Sequence, residues 1–330
     1  MRILRLTRLI GVLVIAYLST CLGAGILLTE AAVHPGRRAL VASDEARVRQ
    51  LAHNFDAEVE SVTVQAKDGA VLRAWSIVPH PDNGNSVILL HGLSDNRMGM
   101  IRYAELLLSH GYGVLMPDSR AHGQSGGRFA TYGLLERDDI QQWIVWVYAG
   151  QHPSCVYGFG ESMGAAQLLQ TLELQPGLCA VAAESPFSNF REIAYDRVGQ
   201  FFHGGTWIGR FLFRPTVEVA LVYASRKYGF DFQKISPEDS VGKSKIPVFL
   251  IHGAVDHNIP VRHSERIRDR NPRVTLWEAP NADHCGAIST DPDQFVVKLL
   301  AWFRARCFTN YENPLFPRNI LEPISSEIRN

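Results

Sequence analysis

Three hundred and thirty residues with 46% hydrophobic content suffice for one large core or two small ones. Lysine plus arginine and aspartate plus glutamate balance at 33 each, so there is no charge excess to suit a nucleic-acid partner. The five cysteines, Cys21, Cys155, Cys179, Cys285 and Cys307, lack the paired spacing of a zinc site or a disulfide framework.

Leu9 to Leu28 carries no charge over twenty residues, a helix of roughly 30 Å, which is the thickness of a bilayer core. Residues 1–30 are therefore read as an uncleaved single-pass anchor. A cleaved signal peptide, leaving a secreted enzyme, is the alternative; the length of the apolar run and the lack of a literal Ala-x-Ala after it argue against that. A lipoprotein reading of Leu18-Ser19-Thr20-Cys21 is opposed by the threonine before the cysteine and the apolar residues after it. Arg2, Arg5 and Arg8 precede the span, against Arg37 and Arg38 after it, a bias that places the N-terminus inside and the rest of the chain on the extracytoplasmic side. Residues 31–57 read as a linker with one short helix.

Val59 to Ala66 and Ala70 to Val78 alternate apolar and polar residues around Lys67-Asp68-Gly69, the pattern of a hairpin. Ser86 to Leu90 is a continuous apolar run, as expected of a strand buried on both faces, and it exits into His91-Gly92-Leu93-Ser94. A helix is expected over 97–110 with Asp95 or Asn96 as N-cap, then a strand over Gly113 to Pro117 with Asp118 to Ser125 as its exit loop. A second helix follows over 133–148. After the strand Cys155 to Phe159 comes Gly160-Glu161-Ser162-Met163-Gly164, where a serine sits at the tip of a tight turn between two glycines.

Strand, loop and helix repeated in this order describe a doubly wound, mostly parallel α/β sheet. The His91-Gly92 exit, the 118–125 loop, the serine elbow, Pro247 to Pro260 and His284 then stand in an order that resembles the α/β-hydrolase superfamily over residues 58–307. The chain is most similar there to bacterial, often membrane-anchored members related to feruloyl-type esterases and to the prolyl-oligopeptidase catalytic domain. The resemblance implies that Ser162 is a nucleophile and that its acid and base follow in chain order. The base is assigned to His284, in the loop after the strand 273–278. The acid is assigned to Asp256, in the loop after the strand Pro247 to Ile251, with Glu184 as its rival because some members of the family take their acid from that strand. His91, His122 and His252 read as structural histidines at loops, and His257 follows the wrong strand. Met163 N–H supplies one oxyanion donor, and the resemblance implies Leu93 N–H as the other.

Residues 187–236 exceed what a minimal sheet requires and hold twelve of the thirty-two aromatic residues, which predicts a helical lid over an apolar pocket. The tail is 308–330. The expected function is a serine hydrolase acting on a small-molecule carboxylic ester or thioester. It works without metal or organic cofactor and meets the membrane through its N-terminal segment. A serine peptidase or amidase, and a non-catalytic binding protein of the same fold, are the alternatives. Cys155 and Cys179 begin what should be neighbouring strands; an exported domain could pair them, a bond that the strained geometry disfavours.

Overall fold

The computed structural model describes residues 2–201 and 204–307. The tail expected over 308–330, and Phe202 of the aromatic stretch, lie outside the described residues. Among the described residues, eight strands form one sheet in the order β1-β2-β4-β3-β5-β6-β7-β8. β1 (Glu60–Gln65) and β2 (Val71–Ile77) form the expected hairpin, and β2 is also antiparallel to β4 (Gly113–Pro117). From β4 onward the pairs are parallel, through β3 (Asn85–Leu90), β5 (Cys155–Glu161), β6 (Ala180–Glu184), β7 (Val248–Gly253) and β8 (Val274–Ala279).

Apolar runs in the central strands follow from burial on both faces. Val87 and Leu89 of β3 point into one core with Tyr157, Phe159 and Phe249, while Ile88 and Leu90 point into another with Val156, Val181 and Leu250. Helices cover each side. α2 (Ala42–His53), α3 (Ile101–Leu108) and α12 (Pro292–Cys307) close the first core; α4 (Glu136–Gln151), α5 (Met163–Thr171), α9 (Pro237–Lys243) and α10 (Arg262–Arg268) close the second. A short turn of helix, α11 (Ala287–Thr290), precedes α12.

A third apolar cluster lies at the carboxyl ends of the strands and belongs to the insert. α6 (Phe190–Phe201), α7 (Gly205–Trp207), a π-helical turn over Ile208–Leu212 and α8 (Arg214–Tyr228) form the lid. Phe187, Ile193, Val217, Leu221 and Phe232 pack there with Met163, which follows the serine, and with Val33 at the end of the N-terminal helix α1 (Arg2–Val33).

Cys155 and Cys179 are bonded, contrary to the expectation from sequence. Tyr157 pairs with Ala180, so the two cysteines are staggered along their strands rather than directly opposed. Their Cα atoms are 5.8 Å apart, inside the range a disulfide spans.

Candidate active site

In a doubly wound sheet, ligands collect where the strand order reverses, outside the carboxyl ends. Here that point lies between β3, whose chain goes on to β4 on one side, and β5 on the other. The exits of these two strands, His91-Gly92 and Glu161-Ser162, face each other: a Cβ placed on Gly92 would lie 3.7 Å from the Ser162 Cβ.

Backbone geometry presents the serine. Ser162 has φ 49° and ψ −110°, a conformation a side chain rarely adopts. It is held by its N–H on the Glu184 carbonyl at 2.8 Å and by the Ala166 N–H on its own carbonyl at 3.0 Å. The turn closes only with glycine at both flanks. A Cβ on Gly160 would lie 2.7 Å from the Ala165 nitrogen and the Gly164 carbonyl, and one on Gly164 would lie 2.4 Å from the Leu90 carbonyl oxygen.

The three residues taken from sequence as nucleophile, base and acid come together. Ser162 Oγ–H donates to His284 Nε2 at 2.9 Å, and His284 Nδ1–H donates to Asp256 Oδ2 at 2.8 Å. The other carboxylate oxygen of Asp256 accepts the N–H groups of Asn258 and Ile259, both at 2.8 Å. Burial opposes a charge on Asp256. Hydrogen bonds from His252, His284 and the Ile259 N–H outweigh it and hold the carboxyl well below the usual carboxylate range.

The rival residues have other partners. Glu184 accepts the Tyr103 hydroxyl at 3.0 Å and the Ala287 N–H at 3.0 Å. His91 accepts the Ser119 N–H at 3.0 Å and bonds its own loop at the Gly92 carbonyl; burial, then the neighbouring His122, push its pKa down to about 4. His122 bonds the Arg120 carbonyl. His252 bridges Ser264 Oγ and the Ile259 carbonyl, with its Nε2 3.4 Å from Asp256, so it braces the acid's loop. His257 is exposed and meets Asp283.

A carboxylate pair beside the serine, Glu184 buried and Glu161 half-buried at the cavity, was missed. Glu161 and Glu184 are opposite one another in the β5–β6 register, and the Tyr103 hydroxyl bonds both. Burial, then the charge of Glu184, raises the Glu161 pKa to about 8; burial raises that of Glu184 to about 7. Burial also pushes up the thiol of Cys285, beside His284 in the chain. One signal was available: the dipeptide Glu-Ser ends both strands, at 161–162 and 184–185.

Above these residues lies a cavity of about 660 Å³, in the range that holds a small organic ligand. Ser162, His284, Leu93 and Met163 line it. Phe187, Phe190 and Phe232 of the lid line it as well, whereas Trp207 and Phe211 are exposed. Arg197 on α6 is the only arginine or lysine among its described lining residues.

A sequence model of the alpha/beta hydrolase family matches residues 87–299. The uncharacterised protein YqkD of Bacillus subtilis is 30% identical over 233 residues, 69% of this chain and 73% of its own. YfhR of Escherichia coli K12 is 28% identical over 238 residues, 70% and 75% of the two chains. Among solved structures, the Pyrococcus furiosus esterase Pf2001 superposes with a TM-score of 0.65 at 25% identity, over 83% of this chain and 100% of that one. The esterase RhEst1 of Rhodococcus sp. ECU1013, 17% identical over 74% and 99% of the chains with a TM-score of 0.54, shares the fold. By the extent of the family match, the chain belongs to the alpha/beta hydrolase family.

Proposed function

We propose that this hydrolase cleaves carboxylic esters or thioesters through an acyl-enzyme on Ser162. The observation that carries the reading is the unbroken hydrogen-bonded series Asp256–His284–Ser162, ending at a strained elbow inside an apolar cleft. A hydroxyl is a weak nucleophile until a base takes its proton. His284 Nε2 receives that proton as Ser162 Oγ attacks the acyl carbon, and the ionised Asp256 stabilises the resulting imidazolium without itself becoming protonated. The developing oxyanion lies between the N–H groups of Leu93 and Met163, where each donor is worth on the order of 10²–10³ in rate. The leaving alcohol or thiol takes the proton from His284, and water then repeats the sequence to release the acid.

The likeness to an enzyme called an esterase, Pf2001, supports ester chemistry. For location, the reading is a single-pass anchor with the catalytic domain outside the cytoplasm. The described residues contain one helix long and apolar enough to cross a membrane, Ile3–Val33. Arg2, Arg5 and Arg8 precede the uncharged stretch, and a Cys155–Cys179 bond suits an oxidising compartment. Extensive packing of that helix on the lid favours its retention over cleavage.

Replacing Ser162 by alanine tests the chemistry. Hydrolysis of p-nitrophenyl acetate is expected to fall by about 10⁴-fold or more with the protein still folded. A Ser162→Ala protein that keeps the wild-type rate would sink the proposal.

A further inference from the structure

The N-terminal helix is part of the cleft as well as a route to the membrane. Its buried residues recur every fourth position, Cys21, Gly25, Thr29 and Val33, a single stripe on a helix. That stripe lies against α8. At Gly25 the approach leaves no room for a side chain, since a Cβ would sit 2.6 Å from Val219 Cγ1 and 2.7 Å from the Thr216 carbonyl oxygen. Thr29 Oγ1 is 3.0 Å from the Ala220 carbonyl oxygen, and Lys227 and Tyr228 donate to Glu30. Further toward the N-terminus, the Tyr17 hydroxyl donates to the Leu212 carbonyl. The end of the helix is tied to the catalytic domain by Ala130 N–H on the Val33 carbonyl at 3.0 Å and by the Tyr132 hydroxyl on the Ala32 carbonyl at 2.9 Å.

The neighbouring face of the same helix opens into the cavity. Leu28, Thr29, Ala31 and Ala32 line it together with Ser162 and His284. Leu28 is 38% exposed and Leu27 beside it 70%, so this wall leads outward along apolar surface.

Length places the wall relative to a bilayer. The part of the helix ahead of Tyr17, from Ile3 to Ala16, is fourteen residues or ~21 Å, short of the ~30 Å hydrocarbon core. A crossing therefore has to use Tyr17 and the residues after it, which are the ones packed on the lid, and the lid is drawn to the bilayer with them. Its outer surface suits that position. Trp207, Phe211, Leu212 and Val222 are all exposed, in the manner of an aromatic and aliphatic belt at a membrane interface.

We infer that α1 and the lid together form an acyl passage that opens into the bilayer, so that the substrate is an amphiphilic ester resident in the membrane. The inference rests on the Ser162 reading above. The chain of such an ester leaves the lipid past Leu28 and Ala32 and brings its carbonyl to Ser162. There the acyl–oxygen bond breaks, the acyl group passes to Ser162 Oγ, the alcohol departs with the His284 proton, and water releases the fatty acid. A chain that had to cross water to reach Ser162 would lose about fourfold in binding for each methylene exposed, and an apolar wall continuous with the lipid spares it that loss, so selectivity for long chains resides in this wall.

The test uses the full-length protein in phosphatidylcholine vesicles. It compares kcat/KM for p-nitrophenyl dodecanoate carried in the vesicles with that for p-nitrophenyl acetate in solution. Ala32→Trp, which fills the passage from the helix side, is expected to lower the dodecanoate-to-acetate ratio at least tenfold. Leu28→Ala, which removes apolar wall without adding bulk, should lower it about threefold. Leu13→Trp, on an exposed turn away from the cleft, should leave the ratio unchanged. Acetate turnover and fluorophosphonate labelling report that each variant is folded, and Leu28→Ala decides the matter if Ala32→Trp is not. Unchanged ratios in folded Ala32→Trp and Leu28→Ala overturn the passage while leaving the Ser162 chemistry standing. A wild type inert to both esters and to the fluorophosphonate instead contradicts the Ser162 reading, and the passage falls with it.

Discussion

Glu161 adjoins the serine and lies opposite the buried Glu184, and this placement gives the pair its own dependence on pH. In an unfolded chain both glutamates ionise near about 4.3. Folded, burial raises both, to about 8 for Glu161, where the charge of Glu184 adds to it, and to about 7 for Glu184. Over that window the folded state keeps protons that the unfolded state has released. The pair's destabilising contribution is therefore absent below about pH 4 and grows as pH rises toward 8. Glu161→Gln keeps a hydrogen-bonding partner for the Tyr103 hydroxyl and removes one titration, so its fall in Tm between pH 5 and pH 8 should be smaller than that of wild type. Equal falls in the two proteins would show that the pair does not carry this dependence. The positions of Ser162, Asp256 and His284 were legible in the sequence because each sits in the exit loop of a recognisable strand, in an order that the resemblance to the α/β-hydrolases supplies. The Glu161–Glu184–Tyr103 cluster was not, because it depends on the register between β5 and β6 and on α3 carrying Tyr103 over them. Neither register nor helix placement is written in local sequence.

Among the elements, the β5–α5 turn is the most constrained. A methyl group on Gly164 would meet the carbonyl oxygens of Leu90 and His91 at 2.4 and 2.6 Å, and backbone of a central strand cannot move aside. Gly164→Ala should destabilise by about 1–3 kcal/mol through overpacking and disturb the serine at the same time. Gly150→Ala in α4 meets nothing within 4 Å and should be neutral or stabilising, by up to about 1 kcal/mol. Thermal unfolding of the two variants side by side checks the pair, and a Gly164→Ala protein as stable and active as wild type would refute the close-packed elbow. The strands were readable because burial on both faces leaves uninterrupted apolar runs such as Val87 to Leu90. The docking of α1 on α8 was not readable for a related reason. Cys21, Gly25, Thr29 and Val33 form a stripe within a segment that is apolar almost all round, so no change of polarity marks the packed face. The staggered approach of Cys155 and Cys179 was hidden for the same reason as the glutamate pair, since it too is a matter of register.

At the scale of the whole molecule, the N-terminal helix, lid and sheet meet around one cleft. The sheet brings serine, histidine and aspartate to its carboxyl edge, the lid roofs them with Phe187, Phe190 and Phe232, and α1 supplies a wall through Leu28 and Ala32. Residues after the helix are held as well. Arg37 donates to the carbonyls of Ser125 and Gly127, and Arg38 pairs with Asp95 at 2.8 Å. All of this serves a function only if the serine at the centre is a nucleophile. The most direct measurement is therefore to treat the full-length protein in phosphatidylcholine vesicles with a fluorophosphonate and locate the adduct by mass spectrometry. A single phosphonyl group on the peptide containing Ser162, formed far more slowly in His284→Ala, is the expected result; no adduct at Ser162, or equal labelling with and without His284, would contradict the account.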